Sequence, residues 1–141
     1  MFDLRSNERL NYWKRFRDNL EISLNPLQDV MELWLKAPFV SPYLEPFDPN
    51  SWPDPWHLIL DGKYDDLAIC LGMLYTLKLT QRFYSVDCEI HMSIDKEKKD
   101  PCFFLVVDHL HVSNYNYGKI SKIEDLSTIP TNTLWSVKVL Q

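Results

Sequence analysis

Glycine is scarce in this chain, with three in 141 residues. Gly62, Gly72 and Gly118 stand far apart, which excludes a glycine-rich loop cradling a phosphate. Cysteine is as sparse. Cys70, Cys88 and Cys102, an odd number at irregular spacing, predict reduced thiols rather than a disulfide framework. No apolar run reaches the roughly 18 residues of a membrane span, and the N-terminal MFDLRSNERL lacks the apolar core of a signal peptide. The expectation is a soluble, cytoplasmic protein with no membrane partner. Positive charge is in deficit, 15 Lys and Arg against 20 Asp and Glu for a net charge of −5, so no broad basic surface is offered to nucleic acid. The basic patches at 14–17 and 96–99 are interleaved with aromatics or acids and read as solvated faces.

Apolar residues make up 45% of the chain and aromatics 13%, which excludes disorder. The length suits one domain, residues 1–141. It divides into a helical part (7–37), a proline- and aromatic-rich extended stretch (38–55) and a part (56–141) holding a central helix and antiparallel strands. That central element is Gly62 to Leu79. It is free of proline, carries Asp65 and Asp66 in its first turn where the helix dipole favours them, and is apolar around its whole circumference, the mark of a buried helix. Gly72 at its middle costs roughly 1 kcal/mol against alanine, so a backbone or bulky ring is expected to approach there.

Before it, Leu10, Trp13, Phe16 and Leu20 recur at helical spacing, and Asn25-Pro26-Leu27-Gln28 resembles a capping box opening a second helix that ends at Pro38. Asp54-Pro55 starts a short helix stopped by Gly62 in a left-handed cap. After it, residues 84–95 alternate apolar and polar, the clearest strand in the chain. Cys102–Val107 and Leu110–Tyr117 form a hairpin whose Asp108-His109 link calls for a bulge or a longer loop. Gly118 breaks the second strand, and Trp135, Val137 and Val139 mark a last one. Helices first and antiparallel strands afterwards make the class α+β.

Two constellations contain reactive residue types. Cys88-x-x-His91 and His109-x-His111 offer metal ligands, but odd spacing on a strand puts Cys88 and His91 on opposite faces. No metal is expected, nor a cofactor, and His91 reads as an exposed histidine. Cys70 with His109 or His111 as base and Asp108 as orienter would make a thiol enzyme. Deep in an apolar helix, however, burial raises a thiol's pKa and blocks access. Cys70 and Cys88 are both expected in the core.

Gly62-Lys63-Tyr64-Asp65-Asp66-Leu67-Ala68 resembles the G-x-C-x-D-x-A signature of the transglutaminase-like family, of papain-like fold, with Tyr64 in place of the cysteine. The family's histidine and aspartate strands are matched by Cys102–Val107 and 111–115, so the resemblance places Cys102 at the histidine position and Asn114 at the aspartate position. It covers roughly residues 54 to 117. A tyrosine hydroxyl titrating near pH 10 cannot serve as the thiolate. Family-type acyl transfer is therefore not expected, and enzymatic activity is more doubtful than binding. The resemblance implies a central buried helix on a small antiparallel sheet, and a non-catalytic domain that binds a protein or small ligand through Tyr64, Asp66, Asn114, Trp52 and Trp56. The stretch SPYLEPFDPNSWPDPW is similar in style to small bacteriophage proteins, which would put the chain in a host's cytoplasm or a virion. Two other readings stand beside this one: an active cysteine-dependent hydrolase or acyl transferase built on Cys70, His109 and Asp108, and a structural virion or assembly component using an exposed aromatic patch at Trp52 and Trp56.

Overall fold

The computed structural model describes residues 1–93, 101–126 and 131–140. Its helices are α1 (Ser6–Leu20), α2 (Pro26–Trp34), α3 (Pro55–Asp61) and α4 (Asp66–Lys78); its strands are β1 (Cys88–Ser93), β2 (Cys102–Val107), β3 (His111–Asn116), β4 (Lys119–Lys122) and β5 (Thr131–Val137). The strands form one antiparallel sheet in the order β4-β3-β2-β1-β5, so the class is α+β. No helix among the described residues is long and apolar enough to cross a membrane.

Alternation along the strands decides what each sheet face does. Cys88, Ile90, Met92, Phe103, Leu105 and Val107 join the core under the helices. Phe104, Val106 and Val112 point the other way and are closed over by Leu126 and Ile123, from a 3-10 turn at Ile123–Leu126. A run apolar on both faces is what β2 needs, because both of its faces are covered. α4 is buried along almost its whole length. At Gly72 the tip of the Trp34 ring lies where a Cβ would stand, 2.3 Å from its ideal position. The glycine thus makes room for an indole.

Local chemistry sets several boundaries. The Asp54 carboxylate accepts the His57 N–H, Pro55 opens α3, and Gly62 closes it at φ +75°. Asp65 caps α4 by accepting the Ala68 N–H at 2.7 Å, so Tyr64 precedes the helix instead of opening its first turn. Tyr64 pairs its backbone with Pro38 and Val40, which docks the proline-rich stretch beside α4.

Other expectations are corrected. Asn25 makes no side-chain cap. The Ser23 hydroxyl accepts the Asn25 N–H and donates to Asp29, while Gln28 reaches Glu32 and the Gly118 carbonyl. β1 begins at Cys88, not Tyr84, because Thr80 Oγ1 accepts the Phe83 N–H and the Lys78 ammonium takes the Phe83 and Val86 carbonyls, holding 81–86 in turns. Ile94 and Asp95, where that strand was expected to end, lie outside the described residues, as does the 96–99 patch. Lys78 also takes the Lys138 carbonyl, and Val139 falls beyond the end of β5. The hairpin link, by contrast, is longer than two residues as expected: a three-residue loop with Asp108 and His109 both at φ 55°. Of the 14–17 patch, Lys14 and Arg15 are exposed as expected, but Arg17 is partly buried: its guanidinium lies 4.4 Å from the Trp13 ring centre and 5.7 Å from that of Trp56, and burial lowers its pKa.

Candidate functional site

The N-terminal end of α4 and the start of β2 form one wall of a cleft of about 1120 Å³, and residues 39–46 form the other. Asp65 fixes this geometry. One carboxylate oxygen caps α4; the other accepts the Tyr43 and Leu44 N–H groups at 2.8 and 2.9 Å, pinning the proline-rich wall to the helix end. Phe39 and Tyr43 stand exposed on that wall. Opposite them are Pro101, Cys102 and Phe103.

Asp66 sits at the cleft floor. Its carboxylate accepts the Phe103 N–H at 2.9 Å and the Asn114 side-chain N–H at 2.9 Å. The same amide nitrogen reaches the Phe103 carbonyl at 2.9 Å and the Cys70 sulfur at 3.2 Å. Alternation would send Asn114 to the sheet face opposite its neighbour Ser113, whose hydroxyl meets Met73 of α4 at 3.1 Å. A left-handed backbone at φ 70°, where the β3–β4 register slips, turns Asn114 inward as well. Asparagine tolerates that conformation better than most residues. Its presence within an otherwise regular strand was the signal available in the sequence.

Burial pushes the Asp66 carboxyl up from its ordinary range, against the lowering effect of its two hydrogen bonds and with a smaller push from Asp65. Burial, and then Asp66, pushes the Cys70 thiol well up. Cys88 is likewise raised by burial, to about 12. Both thiols are fully buried, as expected, whereas Cys102 is half-buried and lines the cleft.

The structure brings Asp66, Asn114 and Cys70 together, and Asp66 and Cys102 both line the cleft. It sends Tyr64 elsewhere. The Tyr64 ring packs edge-on against Phe2 and Trp34, with centroids at 5.4 and 5.3 Å, and its hydroxyl donates to the Ile59 carbonyl at 3.1 Å. The cysteine constellation is not assembled either. His109 lies on the far hairpin loop, 3.0 Å from Glu89 and 3.3 Å from Asp87, and Asp108 on the same exposed loop bonds through its N–H to the Asp87 carbonyl. His91 is half-buried rather than exposed, stacked on Phe104 at 5.5 Å, because β5 brings Thr131 and Thr133 over it. It does lie on the face opposite Cys88.

Trp52 is buried, its indole N–H donating to the Glu45 carbonyl and its ring against Trp135, so the expected exposed patch is reduced to Trp56, which remains half-exposed. Both tryptophans line a second cleft of about 940 Å³ with Tyr75 and Trp135.

Comparison of the chain with protein-family models, with curated proteins and with solved structures found no match.

Proposed function

We propose that this is a non-catalytic domain of transglutaminase-like pattern, of phage or other viral origin, which acts by binding through the cleft between residues 39–46 and the start of α4. The composition of that cleft carries the part of the reading that concerns binding without catalysis. It is large, apolar-walled and floored by Asp66, and its lining includes a cysteine but, among the described residues, no histidine to act as its base. A nucleophile needs a base within hydrogen-bond reach. Cys70 has instead an amide donor, and burial, with a smaller push from the Asp66 carboxylate, keeps its thiol protonated.

Thiol profiling tests this. At pH 7 iodoacetamide should modify Cys102 no faster than an ordinary accessible thiol and leave Cys70 and Cys88 untouched until denaturant is added. Fast alkylation of Cys70 or of Cys102 would restore the hydrolase reading.

One observation favours a second reading, that of an assembly component. Among the described residues β5 is a sheet edge, seven residues without charge, proline or glycine, flanked by the Trp52, Trp56 and Trp135 cleft. The opposite edge, β4, carries Lys119 and Lys122. Edge strands are ordinarily protected by charge or proline. On this reading the sedimentation coefficient rises with concentration and Ser136→Lys abolishes the rise; a concentration-independent value removes it.

A further inference from the structure

Resting on the reading that the cleft at α4 binds a partner, we infer the chemistry of that partner: an extended protein segment carrying lysine or arginine among apolar residues. The charged groups lining the cleft are Glu45, Asp65 and Asp66, all of one sign, and among the described residues no lysine, arginine or histidine lines it. None of the three carboxylates takes part in an ion pair among the described residues.

They are not equivalent. Asp65 is satisfied, with three N–H groups on its oxygens and the positive end of α4 beneath it. Asp66 has only neutral partners, an amide side chain and a backbone N–H, although it is partly withdrawn from water, where an ionised carboxylate without a cation is costly. Each of its oxygens keeps acceptor capacity after those bonds. Glu45 stands exposed on the opposite wall. A cation entering the cleft therefore meets one carboxylate at the floor and one at the rim.

The walls supply the rest. Phe39 is 67% exposed and Tyr43 43%, offering ring faces to an aliphatic stem or to a cation, and prolines 42, 46 and 101 keep the walls stiff. At about 1120 Å³ the cleft exceeds the roughly 300–1,000 Å³ of small-molecule sites, which suits several residues of extended chain better than a single small ligand.

The test uses the full chain, ¹⁵N-labelled, titrated with three N-acetylated, C-amidated pentapeptides: LKPKL, its counterpart with norleucine at both lysine positions, and LEPEL. The Phe103 backbone amide and the Asn114 side-chain amide, which both touch Asp66, are the reporters. LKPKL should shift both saturably and bind at least tenfold more tightly than either other peptide. Asp66→Asn and Glu45→Gln should each weaken it severalfold; the second, at an exposed position, carries the test should the first fail to fold. Equal binding by the norleucine peptide at the same reporters would overturn the cationic partner while leaving a binding cleft in place. Reporters unmoved by all three peptides would overturn both.

Discussion

Thr76→Val is expected to destabilise the fold by about 2–5 kcal/mol, although it changes the shape of one side chain very little. The Thr76 hydroxyl is fully used. It accepts the indole N–H of Trp13 and that of Trp34, each at 3.0 Å, and donates to the Gly72 carbonyl at 2.7 Å. Trp13 belongs to α1, Trp34 to α2 and Thr76 to α4, and all three residues are fully buried. Removing the oxygen leaves two buried donors with no acceptor, each costing about 1–3 kcal/mol, while the added methyl repays little in a packed site. Thr76→Ser keeps the oxygen and loses one methyl, about 0.8 kcal/mol. Urea unfolding of the two variants settles the matter: a valine variant as stable as the serine one would mean that the hydroxyl does not hold the three helices together.

That hub shows where sequence reading stops. Gly72 could be read as a place for a ring, since a glycine in a long apolar helix needs a reason, and the ring is Trp34. Which ring it was, and that Thr76 would take its N–H, depended on packing between helices far apart in the chain. α3 was legible from end to end because Asp54, Pro55 and Gly62 act on their own neighbours. Lys78 was hidden for the opposite reason. Within a helix read as wholly apolar it is buried, and its ammonium is matched by three carbonyls from Phe83, Val86 and Lys138, none of which a local pattern can announce.

The site divides the same way. Asp66 was marked by its place in the motif and Asn114 by the aspartate position that the resemblance assigned to it, and the pair meets across α4 and β3. The cleft itself was not foreseen, because it exists only once Asp65 pins Tyr43 and Leu44. β4 was missed too. Four residues after Gly118 are too few for an alternation to show, and the strand is set by pairing with β3.

Tyr64→Ala should cost about 3–5 kcal/mol, the range for deleting a buried aromatic ring. The ring is 0% exposed and packs on Phe2 and Trp34, so its loss opens a cavity that neither neighbour can fill without leaving its own contacts. Tyr64→Phe isolates the hydroxyl bond to the Ile59 carbonyl and should cost about 1 kcal/mol. Burial pushes the Tyr64 phenol up to about 12, with Asp61 adding to the rise and the Gly62 backbone and Arg9 opposing it. A folded-state pKa above the unfolded value of about 10 means a contribution that is full below pH 10 and lost as the pH climbs towards 12. The stability difference between wild type and Tyr64→Phe should therefore shrink and then change sign within that window, because the loss over two pKa units exceeds the roughly 1 kcal/mol that the hydroxyl bond contributes. Cys102 distinguishes the two places the ring could occupy. A tyrosine filling a nucleophile pocket at the cleft would, once removed, expose Cys102 and speed its alkylation. With the ring between α2 and the N-terminal Phe2, the alanine variant should lose its stability while Cys102 is alkylated at the wild-type rate under native conditions; a severalfold faster rate would put Tyr64 back at the cleft.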